Sequence, residues 1–180
     1  KQSERRRAHW RAFERAVSQG VAQPCICSRK EVEQELAGIA SAPHDPNAPT
    51  YAGTCMARGR EATLALAGPG PNDQKAGRTI AWRFGSRHTV IARTRSADLA
   101  STESCSFEPS YHWACALDDC NPALEHQILV RAWDLASATP VQREIQAWAE
   151  GPEFVPPTVL HTALITQDDG HRLEKRTQGV

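Results

Sequence analysis

Several features that would point quickly to a function are missing from this sequence. No apolar run is long enough to cross a bilayer as a helix. Net charge is missing too, because 21 Lys and Arg balance 21 Asp and Glu. Nucleic-acid binding over a broad face needs a basic footprint, so the expectation is a chain with no nucleic-acid partner. Arg5, Arg6 and Arg7 form its one obvious basic cluster. No Asn-x-Ser/Thr glycosylation acceptor occurs, and neither does a His-Glu-x-x-His or a Gly-x-Ser-x-Gly motif. The Gly68-Pro69-Gly70-Pro71-Asn72-Asp73 turn is not followed by Gly-Lys-Ser/Thr, which excludes a phosphate-binding P-loop there. The chain opens on Lys1 and its one Met is Met56, so it reads as a processed or excised piece.

Cysteine is present in an even number: Cys25, Cys27, Cys55, Cys105, Cys115 and Cys120. Cys25-x-Cys27 is tighter than a zinc knuckle, which usually has two to four intervening residues. Cys115 and Cys120 have no second pair at a matching distance. The six are therefore read as disulfide candidates of a secreted or cell-surface protein, with their pairing open.

Hydrophobic spacing predicts two N-terminal helices. Trp10, Phe13 and Val17 make an apolar stripe over residues 2–20. Ser28 and Glu31 have capping-box spacing at the head of a second helix over 29–40, whose apolar face carries Val32, Leu36 and Ile39. Proline at positions 43, 46 and 49 makes 41–54 a loop. Beyond it the period shortens toward two. Residues 62–67, 111–117, 127–133, 144–148 and 158–166 read as short strands, and 79–84 with 88–95 as a hairpin across Gly85-Ser86-Arg87.

Residues 111–148, YHWACALDDCNPALEHQILVRAWDLASATPVQREIQAW, carry a resemblance. Trp113, Cys115, Leu117 and Asp118, then Cys120, His126, Val130, Arg131, Ala132 and Asp134, resemble the last strands of immunoglobulin-like and fibronectin III-like repeats of extracellular proteins. The chain departs from that pattern at Asp118-Asp119, Glu125 and Ala136-Ser137-Ala138. The Val130-Arg131-Ala132-Trp133-Asp134 run is also similar to the sandwich dimerisation domain of sulfite-oxidase-type molybdenum enzymes. Both resemblances imply a mainly β fold: an immunoglobulin-like antiparallel β-sandwich over residues 54–166, a helical extension with a Pro-rich loop over 1–53, and a polar tail over 167–180.

The functional expectation that follows is a non-enzymatic extracellular binding or assembly module. Its partner would be another protein, a second copy or a carbohydrate, and Trp113, Trp133 and Arg131 are the binding candidates. Asp118, Asp119 and Asp134 at turns are candidate calcium ligands, and no other cofactor is expected. No catalytic residue is assigned, because His112 and Cys115 fall on opposite faces of the predicted strand. The alternatives are a small secreted enzyme or toxin-like effector, and the dimerisation domain of a larger molybdenum-type oxidoreductase.

Overall fold

The computed structural model describes residues 2–37, 51–68, 78–95, 99, 106–120 and 128–166. A single 3-10 turn, Gln2–Arg5, leads into α1 (Arg6–Ser18), then come β1 (Ala22–Cys25), α2 (Arg29–Ala37), α3 (Thr54–Arg58) and α4 (Arg60–Ala67). The hairpin β2 (Ile80–Phe84) and β3 (Thr89–Thr94) follows, with a two-residue β4 (Glu108–Pro109). The C-terminal part runs α5 (Tyr111–Asp119), β5 (Ile128–Ala132), α6 (Ala138–Glu150) and β6 (Thr158–Thr162).

The expected immunoglobulin-like sandwich is not there. Helices dominate the described residues, and the strands make a four-stranded antiparallel sheet in the order β1-β2-β3-β4 and a separate parallel pair, β5-β6. A parallel pair needs a long crossover, and α6 provides it. The predicted strands at 111–117 and 144–148 are both helix, and so is the one at 62–67.

The physical reason is a stripe that serves either period. In 111–117, Trp113, Cys115 and Leu117 alternate as a strand face would, but Trp113 and Ala116 are the fully buried residues, at a helical spacing of three. Ser110 settles the choice, because its hydroxyl accepts the Trp113 N–H at 3.2 Å and caps the helix. In α6, Val141, Gln142 and Ile145 face inward at i, i+1 and i+4. Pro140 sits in the first turn of that helix, where no backbone donor is missed.

Other expectations hold. The first helix buries Trp10, Phe13 and Val17 in the core, as its stripe predicts. The capping box at α2 closes in both directions: the Ser28 hydroxyl accepts the Glu31 N–H at 3.2 Å, and the Glu31 carboxylate accepts the Ser28 N–H at 2.6 Å. This contact holds the Glu31 carboxyl below the usual carboxylate range. We expect Ser28→Ala to cost about 1 kcal/mol of local helix stability, seen as faster amide exchange in α2 with no change in the core.

The 79–84 and 88–95 hairpin is present and antiparallel. Its uneven alternation has a cause, because a bulge between Trp82 and Arg83 places Ile91 and Ala92 in the core as consecutive residues. The turn needs glycine. Gly85 stands at φ +74, and a Cβ there would run into the Glu144 carboxylate. Glu144 instead accepts the Ser86 N–H at 2.8 Å, which pins the turn to α6.

The segment read as a helical extension is part of the same body. β1 is an edge strand of the sheet, a place where Pro24 is tolerated. The core joins α1, β2, β3, α5 and α6 through Phe13, Trp82, Ile91, Phe107, Trp113 and Ile145. Arg5 and Arg6 of the basic cluster donate to carbonyls of Leu117, Asp118 and Phe107. The Pro-rich loop at 41–50, Cys105, His126 and the polar tail lie outside the described residues. No helix among the described residues is long and apolar enough to cross a membrane.

Candidate metal centre

Three of the six cysteines converge. Cys25 ends β1, Cys27 follows it by two residues, and Cys55 lies in the first turn of α3, which packs on β1. Their sulfur atoms all lie within 4.8 Å of one another, and among the described residues they form the one group of three potential metal ligands. Cys25 and Cys55 are buried, and Cys27 is half-buried. A tetrahedral zinc with bonds of about 2.3 Å places its sulfurs about 3.8 Å apart. The Cys27–Cys55 separation of 3.3 Å is close to that value.

Tyr51 stands where a fourth ligand would. It is 2% exposed. Its hydroxyl oxygen accepts the Cys55 N–H at 2.8 Å and lies 4.0 Å from the Cys27 sulfur. Below the ring, the Arg83 guanidinium carbon is 3.9 Å from the centroid. Arg83 also donates to the His88 carbonyl at 2.9 Å, and the His88 ring meets Tyr51 edge-on at 6.0 Å. Tyr51 is thus held by Arg83 of β2 and His88 of the β2–β3 turn.

Burial and the contacts among the sulfurs set the protonation of the cluster. Burial pushes the Cys27 thiol up to about 12, helped by its hydrogen bond with Cys55 and by the charge of Cys25. Burial acts to raise Cys55 as well, but the Ile26 backbone and the Cys27, Tyr51 and Cys25 side chains outweigh it and hold this thiol below its ordinary value. The Arg58 guanidinium, 3.8 Å from the Cys55 sulfur, favours the same thiolate. Burial and the contact with Cys25 raise Tyr51. Without a metal, three thiolates in one buried site repel one another, whereas a divalent ion reverses the balance by binding the deprotonated forms. Soft sulfur donors in this number suit zinc better than calcium, which takes hard oxygen ligands.

Of the residues singled out by sequence, Cys25, Cys27 and Cys55 are in this cluster, and the other described ones lie elsewhere. The five described cysteines form no disulfide. Cys115 and Cys120 lie on and just after α5, where the Cys120 thiol donates to the Ala116 carbonyl at 3.2 Å and is pushed up to about 12 by burial. The calcium candidates do not form a ligand group. Asp118 pairs with Arg5 at 3.1 Å and with His9 at 2.8 Å, and Asp119 pairs with Arg131. Burial nevertheless keeps the Asp119 carboxyl above its ordinary range despite the guanidinium beside it. Asp134 lies in the 3-10 turn after β5.

The binding candidates are also separated. Trp113 is wholly buried and donates its indole N–H to the His9 carbonyl at 3.1 Å, so it is core and not a platform. Trp133 is 65% exposed with its ring edge-on to His161. Arg131 is turned inward, donating to Asp119 and Gln142.

Spacing within the tight Cys25-x-Cys27 pair does not reveal the sulfur cluster, whose third member lies 28 residues beyond Cys27. Tyr51 and Cys55 are spaced i, i+4 across the entry to a helix, and that was the available signal.

No family model matches the sequence. Comparison with curated proteins is more informative. The chain is 31% identical to the glutamyl-Q tRNA(Asp) synthetase of Cutibacterium acnes, over 84% of its own length and 41% of that protein. Against the enzyme of the same name from Nocardia farcinica it is 31% identical, over 99% of its length and 55% of that protein.

The chain is similar to glutamyl-Q tRNA(Asp) synthetases.

The glutamate–tRNA ligase of Elusimicrobium minutum matches as well, at 29% identity over 97% of the chain and 36% of the relative. The chain spans about half the length of the curated relatives it matches. These relatives correct four expectations together. The homologues are synthetase-like proteins and not immunoglobulin-like or fibronectin III-like repeats. Those proteins are named as tRNA synthetases, which overturns the expectation of an extracellular binding module. Their names place a tRNA where no nucleic-acid partner was expected, and they remove the basis for a secreted or cell-surface location. The error over nucleic acid has a plain cause. A net charge of zero describes the whole chain and says nothing of where its 21 basic residues lie.

Proposed function

We propose that this chain is the metal-bearing part of a synthetase that joins glutamate to a tRNA, with tRNA(Asp) the first candidate. The observation that carries this reading is sequence identity of about 30% running through nearly the whole chain to enzymes so named.

Two structural features support it. The β5-α6-β6 crossover is the building unit of open parallel sheets, which bind ligands at the carboxyl ends of their strands. Beside the sulfur cluster, a groove of about 960 Å³ runs between α2 and the antiparallel sheet, lined by Cys27, Arg29, Arg78, Arg83 and Arg93. Guanidinium groups at such an edge suit phosphate contacts. Glu31 and Glu33 share the groove, so RNA would follow its arginine-bearing wall.

The sulfur cluster would hold a zinc ion through Cys25, Cys27 and Cys55, with Tyr51 beside them. Bound there, the metal supplies a structural cross-link between β1 and α3. Arg83 keeps the Tyr51 ring in place, and the Cys55 N–H fixes the direction of its hydroxyl.

The test is direct binding of unmodified tRNA(Asp) to this chain across a salt series, with an RNA hairpin of unrelated sequence as control. Specific binding that weakens steeply with salt is expected. Equal, weak binding of both RNAs would overturn the tRNA reading.

A further inference from the structure

A second cavity, of about 350 Å³, lies between the β2–β3 turn and the starts of α5 and α6. Its polar lining is Arg83, Arg87, His88, Thr89, His112 and Ser137, with no carboxylate among the lining residues. Four buried side-chain polar atoms among the described residues have no hydrogen-bond partner. Two of the four, Arg83 Nε and His112 Nδ1, belong to residues that line this cavity. Arg83 is 9% exposed, so its Nε–H is a donor already withdrawn from water and left without an acceptor. Leaving such a group unmet costs about 1–3 kcal/mol.

The backbone points the same way. His112 is the second residue of α5 and Ser137 immediately precedes α6, so two helix N-termini lie at the cavity. Each carries partial positive charge and free N–H groups. Ser137 makes no capping bond with its side chain, so its hydroxyl is not committed to the helix it precedes. The nearest acid on α6 with a described contact to the turn, Glu144, is engaged with the Ser86 N–H.

We propose that this cavity binds a phosphate oxyanion, and that in the working protein the oxyanion is a phosphodiester of the RNA. The second half of the proposal rests on the tRNA reading above. Arg83 Nε and His112 Nδ1 donate to the phosphate oxygens, with Arg87 providing charge and Ser137 a further hydroxyl. Burial lowers the basicity of His112, and an imidazole donates through Nδ1 either in the tautomer protonated there or as the cation. Arg83 then serves two sites at once. Its guanidinium face lies on Tyr51 at the sulfur cluster, and its Nε–H serves the phosphate.

The experiment uses the whole 180-residue chain. Inorganic phosphate is titrated against chloride at matched ionic strength while the His112 ring resonances are followed by NMR. A saturable shift specific to phosphate is expected, and it should weaken in Ser137→Ala. Identical response to both anions overturns the site. In a second arm, tRNA(Asp) is added to the phosphate-loaded protein. Displacement of phosphate is expected, and Arg87→Gln should lower the slope of log K against log salt by about 1 while circular dichroism and metal content stay at wild-type values. Phosphate binding that tRNA fails to displace overturns the RNA source of the oxyanion. If the wild-type chain binds no tRNA at all, the synthetase reading fails, and the His112 response still decides whether the oxyanion site exists.

Discussion

Stripping the metal with a chelator is expected to lower the melting temperature by roughly 8–16 °C. The figure follows from linkage: a ligand at a thousandfold excess over its dissociation constant stabilises the native state by about 4 kcal/mol, and a chain of this size moves by about 2–4 °C per kcal/mol. The loss falls on the contact between β1 and α3, because the three sulfurs come from those two elements and the residue just after β1. Without the ion, Cys27 stays protonated and the cluster keeps only weak S–H contacts. Cys55→Ser should reproduce the chelated protein, whereas Cys115→Ser on α5 should leave metal content unchanged, since Cys115 is not in the cluster. Elemental analysis of the purified protein and mass mapping of the cysteines without reduction complete the test. Absence of any bound metal together with a Cys27–Cys55 disulfide would sink the metal centre. Acid should act like the chelator, because each ligand must lose its proton to bind.

Trp113→Ala is the second change with a large effect, expected at about 3–5 kcal/mol. The ring is fully buried. Trp148 lies at 5.5 Å and Phe84 at 6.1 Å, both centroid to centroid. Its indole N–H is the buried link from α5 to the His9 carbonyl of α1, across 104 positions of sequence. Native domains are stable by only about 5–15 kcal/mol, so this one truncation removes a large share. Trp113→Phe separates the two contributions. It keeps most of the apolar area and leaves the His9 carbonyl without its indole donor, at about 1–3 kcal/mol. Urea denaturation read on both variants decides the matter, and a Trp113→Ala midpoint equal to wild type would mean that the core is not built around this ring.

These two sites show what the sequence made legible. The α1 stripe, the α2 capping box and the β2–β3 hairpin were readable because each rests on local chemistry: a helical spacing, a reciprocal cap, a glycine turn. The helix at Trp113 was misread because a nine-residue stretch with apolar residues at every second and every third position satisfies both periods. Only the Ser110 cap and burial in the assembled core separate them. The immunoglobulin-like resemblance drew its first part, Trp113 to Asp118, from that same stretch. The pairing of β5 with β6 is parallel and depends on a crossover through α6, which no local pattern announces. The sulfur cluster lay in between. Its members were visible one at a time, but their grouping required β1 and α3 to pack together.

The position of those ligands along the chain also bears on how the protein can change over evolutionary time. Cys25 and Cys27 lie at one end of a long stretch, and Tyr51 and Cys55 lie at the other. The free energy of closing such a stretch grows only with the logarithm of its length, about 0.6 kcal/mol for each doubling. Once an ion fastens the two ends, the residues between them can be lengthened, shortened or exchanged with little effect on the rest of the molecule. This stretch contains the α2 helix, which lines the arginine-bearing groove. An ion at the cluster would therefore let the α2 wall of the groove change in length or sequence without loosening β1 from α3.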